Sequence, residues 1–162
     1  MTSLENATVL VTGANGGLGS ALVEAALERG ARRVYATART PKKWDDPRVE
    51  PLHLDVSDPA SIEQVAASAG DTTILVNNAA VFPRGDLLNS PTDEMRGTIE
   101  ANLVGPVLMA RAFAGALRSA KGTLVNVNSV LSWFAVGKAT ACPRPACGWR
   151  RTPSASSSLP TA

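Results

Sequence analysis

Residues 8–30 read TVLVTGANGGLGSALVEAALERG, and no other stretch limits the fold so sharply. TVLVT is a short run of β-branched and apolar side chains, as a strand buried on both faces requires. The residues after the glycines have helical spacing, with Leu18, Leu22, Ala25 and Ala26 in one set and Gly30 as a stop. Gly13, Gly17 and Gly19 fall between strand and helix. A chain that turns this tightly while bringing its backbone close to an anion has no room for side chains. The helix N-terminus beyond the turn offers free N–H groups and a positive dipole end to a phosphate. Strand, glycine turn and helix at the first βα junction are the context a dinucleotide-binding turn needs.

The rest of the chain repeats the alternation. RRVYATA (32–38) and RVEPLHLDV (48–56) read as strands, and Asp58-Pro59 opens a helix carrying Ile62 and Val65. Asp58 suits the N-cap and Pro59 the first helical position. TTILVNNAA (72–80) is a fourth strand. A loop through Pro83 and Pro91 leads to one long helix, about 92–120, and GTLVNVNS (122–129) is a fifth strand. Alternating strands and helices predict an α/β, Rossmann-like, doubly wound parallel sheet. Right-handed crossovers give the order 3-2-1-4-5. Residues 1–140 are expected to make one such domain. On the long helix Ile99, Leu103, Val107, Leu108 and Phe113 form an apolar face for the sheet and for a partner subunit in a homo-oligomer.

A net charge of +2 with no basic stripe gives no reason to expect nucleic acid. No apolar run approaches the roughly 18 residues of a membrane span. MTSLENATVLVTG lacks the basic region and cleavage site of a secretory signal, so a cytoplasmic protein is expected. Cys142 and Cys147 have CxxxxC spacing with no histidine near, and no metal site is expected. His53, the only histidine, and Tyr35, the only tyrosine, lie on strands away from residue 129 and read as structural. Trp44 and Trp133 read as loop anchors or pocket wall.

The spacing TGxxxGxG differs from GxGxxG, and here the chain resembles the short-chain dehydrogenases/reductases. The resemblance runs from residue 6 to about 140, and it implies an incomplete, partial domain that lacks the family's last strands and helices. Thr12, Gly13, Asn15, Gly17, Leu18 and Gly19 fall in the glycine motif. LDVSD (54–58) resembles the segment that meets adenine, which implies roles for Asp55 and Val56. NNAA (77–80) resembles NNAG, with Ala80 in place of the usual glycine, and implies Asn78, Ala79 and Ala80 at the cofactor. Asn102 in EANLVGP and Ser129 in VNVNS match a helix asparagine and the catalytic serine. The cofactor's phosphate can be argued from charge. An acidic residue after the second strand would meet the ribose 2′-OH of NAD. Here Arg39 stands there, with Lys42 and Lys43 behind it, and a cation pairs with a 2′-phosphate. NADP(H) is therefore expected over NAD(H).

The resemblance implies hydride transfer between NADP(H) and a small carbonyl or alcohol, with a tyrosine as proton donor and a lysine that lowers its pKa. Serine would hold the substrate oxygen, and the helix asparagine would support a water relay. The tyrosine belongs thirteen residues after the serine, where this chain has Cys142, and the lysine four later, where it has Ala146. As written, the chain is expected to be inactive; the alternative is a non-catalytic nucleotide-binding fragment or pseudoenzyme. Residues 141–162 hold four prolines, both cysteines and no acidic residue, and read as a disordered tail. A shift of reading frame near codon 141 or 142 would explain the change of character. Moving back one base over 147–162 permits a sequence with helical apolar spacing, although it restores neither tyrosine nor lysine. A truncation is the competing explanation.

Overall fold

The computed structural model of the protein describes residues 4–82 and 89–129. Five strands, β1 (Thr8–Thr12), β2 (Arg33–Ala38), β3 (Val49–His53), β4 (Ile74–Asn77) and β5 (Thr123–Asn126), form one sheet in the order β3-β2-β1-β4-β5. All pairings are parallel. This is the predicted α/β, doubly wound topology. β1 matches its sequence pattern and β2 all but its first residue, whereas β3, β4 and β5 stop short of theirs, mainly at the carboxyl ends, where residues leave the sheet to build a site. Cys142, Ala146, Trp133 and the 141–162 tail lie outside the described residues.

Strand side chains alternate between two cores. Val9, Val11, Val34, Ala36 and Val76 meet Val23 and Ala26 of α1 (Gly17–Glu28) on one face. Leu10, Tyr35 and Leu75 meet the opposite layer. That layer comprises Ile62 and Val65 of α2 (Pro59–Ser68) with Met109 and Phe113 of α4 (Gly105–Ser119). Burying a side chain such as Leu10 or Val23 contributes roughly 1.5–3 kcal/mol. Asp58 caps α2 as expected, accepting the Ala60 N–H at 3.0 Å. Gly30 ends α1 with φ +88, a conformation that a Cβ disfavours.

The predicted single helix over 92–120 is a correction. It consists of α3 (Thr92–Ile99), a π-helical turn over Glu100–Val104, and then α4. Pro106 supplies the physical reason: it has no N–H for the Asn102 carbonyl four residues back. Gly105 donates instead to Glu100, five residues back. The extra residue rotates the helix phase, so the expected apolar face is split. Met109 and Phe113 are buried, whereas Ile99 and Val107 are 43% and 53% exposed.

At the amino end of the sheet, Tyr35 Oη donates to Asp71 Oδ1 at 2.9 Å and accepts from Arg33 at 3.0 Å. Asp71 Oδ2 accepts from Arg32 at 2.9 Å and from Thr8 Oγ1 at 3.2 Å. Tyr35 thus serves packing and this network, at the end of the sheet away from Asn102. Trp44 packs on the α1-side core and carries the Lys42 ammonium 4.1 Å from its ring centre.

Candidate cofactor site

β1 pairs with both β2 and β4, so the direction of winding reverses at β1. Helices leave the carboxyl ends there on opposite faces, and a crevice opens between them. In this chain the crevice is a cavity of about 850 Å³. Its wall contains Gly13, Asn15, Gly17, Leu18, Gly19, Arg39, Asp55, Val56, Asn78, Ala79 and Ala80. The twelfth expected residue, Thr12, is buried beneath the wall and not in it. Its Oγ1 accepts the Asn78 and Ala79 N–H groups, both at 2.9 Å, and Asn78 Nδ2 donates to the Thr12 carbonyl at 2.9 Å. These bonds lock the glycine turn to the segment after β4.

The three motif glycines do different work. Gly13 has φ +68, and a Cβ there would lie 2.9 Å from the Ala79 Cα. A Cβ on Gly19 would fall on the Gly13 carbonyl oxygen. Both are needed so that the turn packs against itself and its neighbour. Gly17, at the start of α1, faces open space, and only there does a missing side chain keep the wall clear.

Asp55 follows β3. Its Oδ1 accepts from the Ser57 Oγ at 2.6 Å and the Ser57 N–H at 2.9 Å. Those two bonds hold its carboxyl below the usual carboxylate range against the opposing effect of burial, with weaker help from the charges of Arg39 and His53. Arg39 and Asp55 thus present one cation and one anion in the same wall.

Asn102 sits in the π turn and is buried. Its Nδ2 donates to the Val81 carbonyl at 2.7 Å, and its Oδ1 accepts the Val81 N–H at 2.8 Å. Ser129 lies three residues past β5 at the same carboxyl edge; the described cavity wall does not include it. Sequence reasoning missed the floor supplied by Glu94, Gly97, Thr98 and Ala101. Gly97 was a usable signal, because glycine inside a helix costs about 1 kcal/mol against alanine. Its absent Cβ would meet nothing within 4 Å.

A second groove, about 540 Å³, runs between α4 and β5 and includes Pro106, Val107, Ala110, Ala114 and Leu124. Asn77 lines it as well, and its Oδ1 is buried with no hydrogen-bond partner among the described residues. No group of His, Cys, Asp and Glu among the described residues could hold a metal ion. No helix among them is long and apolar enough to cross a membrane.

Sheet order, glycine turn and crevice together define a Rossmann-like α/β protein. The sequence model of the short chain dehydrogenase family matches residues 7–141. The chain belongs to that family. A short-chain dehydrogenase of Talaromyces islandicus is 38% identical over 133 residues, which are 76% of this chain and 47% of the relative. L-xylulose reductase of Homo sapiens is 36% identical over 135 residues, 79% of this chain and 55% of the relative. The crystal structure of a short chain dehydrogenase from Burkholderia cenocepacia in complex with NADP superposes with a TM-score of 0.75. It is 39% identical, and the match covers 83% of this chain and 58% of that one. The chain spans about half the length of the curated relatives it matches.

Proposed function

We propose that the 850 Å³ cavity binds a nicotinamide dinucleotide, NADP(H) in preference to NAD(H). The observation that carries this reading is the convergence of residues 13, 15–19, 39, 55–56 and 78–80 on one wall. The glycine turn and the N-terminus of α1 would hold the pyrophosphate, and Asp55 with Val56 the adenine. Arg39 is the wall's cation, and it suits a 2′-phosphate. The NADP of the Burkholderia relative supports the choice. When bound, the nicotinamide supplies a hydride acceptor or donor.

The full enzyme of this lineage would act on a small carbonyl or alcohol, with Ser129 holding the substrate oxygen. Asn102 would act indirectly in this reading. Its side chain is spent on Val81, and its carbonyl, which Pro106 cannot serve, would be the group available to a water relay. With Cys142 and Ala146 where tyrosine and lysine belong, this chain as written binds nucleotide without turnover. The family match ends at Ala141, where the residue usage changes, and this supports a frame shift over a plain truncation. Resequencing the gene past codon 120 tests that point: a corrected frame that continues the strand–helix pattern is expected, and frames closed in every reading would leave a truncation. A cytoplasmic site of action and a homo-oligomer through the exposed Ile99 and Val107 belong to the same reading.

NADPH fluorescence titration is the direct test of the site, with saturable binding expected. Turnover of NADPH with a panel of aldehydes and ketones tests the rest. A rate abolished by Ser129→Ala would show that the chain is active as it stands.

A further inference from the structure

The segment after β2 carries three cations, and of Arg39, Lys42 and Lys43 only Arg39 lines the cavity. Lys42 is turned away. Its ammonium donates to Ser20 Oγ on α1 at 2.9 Å and sits over the Trp44 ring. Asn15, in the glycine turn, makes a second tie. Its Nδ2 donates to the Thr40 carbonyl at 2.6 Å, and its Oδ1 accepts the Lys42 N–H at 3.3 Å. On the other side of Arg39, the Ala38 carbonyl accepts the Leu54 N–H at 3.0 Å. Arg39 is therefore flanked by two anchored residues, Ala38 by the sheet and Thr40 by Asn15. An arginine on a loop otherwise free to move would have to be ordered when a phosphate arrives, at an entropic cost. Here that ordering is done in advance by contacts within the protein.

We propose that Asn15 and Lys42 are positioning residues for the cofactor's 2′-phosphate. They fix the backbone that presents Arg39, and neither is itself a phosphate ligand. The inference rests on reading the cavity as a dinucleotide site. It assigns the preference for the phosphorylated cofactor to a three-part device, in which Arg39 meets the charge while Asn15 and the Lys42–Trp44 pair hold Arg39 in place.

The test uses two probes that differ only in the phosphate, 2′,5′-ADP and 5′-AMP, measured by calorimetry on the full chain. Wild type is expected to favour 2′,5′-ADP, and Arg39→Gln to remove most of that preference. Asn15→Ala and Lys42→Met should each lower the preference by about three- to tenfold, and neither should lower it further when Arg39→Gln is already present. Trp44→Leu, which removes the ring under Lys42 and no group of the cavity wall, should reproduce the loss of Lys42→Met. The proposal is overturned if the losses of Lys42→Met and Arg39→Gln multiply, since each would then be a separate phosphate contact. It is equally overturned if folded Asn15→Ala keeps the wild-type preference. Folded wild type that binds neither probe nor NADPH would bring down the cofactor-site reading and this inference with it. Binding that depends on Arg39 but is indifferent to Asn15 and Lys42 would bring down this inference alone.

Discussion

Asn102 grips Val81 by both backbone groups, with its amide nitrogen on the carbonyl at 2.7 Å and its amide oxygen on the N–H at 2.8 Å. The two residues are 21 apart in the chain. The grip ties the π turn to the end of the NNAA segment, and so fixes one wall of the cavity from behind. Each such bond is worth about 0.5–1.5 kcal/mol net, and an orphaned partner costs more. Asn102→Ala is expected to destabilise the fold by about 1–3 kcal/mol. Thermal unfolding checks this; an unchanged midpoint would mean that Val81 finds other partners.

Gly17 and Gly19 should part company on substitution. Gly17→Ala places a methyl in open space at the start of α1, where alanine, a better helix former than glycine, meets no clash. Its melting temperature should hold or rise while NADPH binding weakens. Gly19→Ala collides with the turn itself, so stability and binding should fall together. Paired melting and titration curves separate the two; equal losses of stability would refute the assignment of Gly17 to the wall.

Asp71 should make stability fall in acid. Burial alone would raise its pKa, but hydrogen bonds from Tyr35, Arg32 and Thr8 outweigh burial and lower it. A carboxyl with a depressed folded value stabilises fully above its unfolded value, and the benefit disappears as pH falls through the folded one. The loss should begin below about pH 5 and continue past the ordinary carboxylate range. Its size is limited, because the Arg32–Asp71 side chains are 52% and 41% exposed and such pairs give about 0–1 kcal/mol. Melting from pH 7 down to pH 3 should show a shallower decline in Asp71→Asn than in wild type.

β5 should drive self-association. Among the described residues it pairs only with β4, and Leu124 and Val125 on it are 40% and 39% exposed. An apolar strand with one open edge is a template for pairing with another chain. Val125→Lys should suppress concentration-dependent light scattering with little change in melting temperature. Scattering that persists in this variant would place the sticky surface elsewhere, with Val107 on α4 as the next position to test.

Much of this was legible because the signals are local. TVLVT followed by a glycine turn could hardly be anything but a buried strand entering a helix, and Asp58-Pro59 marked a helix start that the hydrogen bond to Ala60 bears out. The expected wall residues between Gly13 and Ala80 were recoverable from the family motifs that carry them, and they share one wall because strand ends in a parallel sheet all meet one edge. Glu94 and Thr98 were not recoverable that way. They reach the cavity only because α3 lies across its floor, and nothing in TDEMRGTI apart from Gly97 marks that approach.

Sequence pattern sets the strand–helix order and the sheet order, and the family motifs name most of the residues on the crevice wall, though not those on its floor. Periodicity, turn chemistry and the handedness of crossovers act over a few residues or apply to every sheet of this kind. Which atoms are spent on the protein and which remain for a ligand is settled by the packing of distant segments. Thr12 is turned under the wall to hold Asn78 and Ala79, Asn102 is committed to Val81, and Lys42 leans on Trp44 while Arg39 faces the cavity. Those choices depend on contacts between segments far apart in the chain, where a side chain's direction is set by the packing around it and not by its neighbours in sequence.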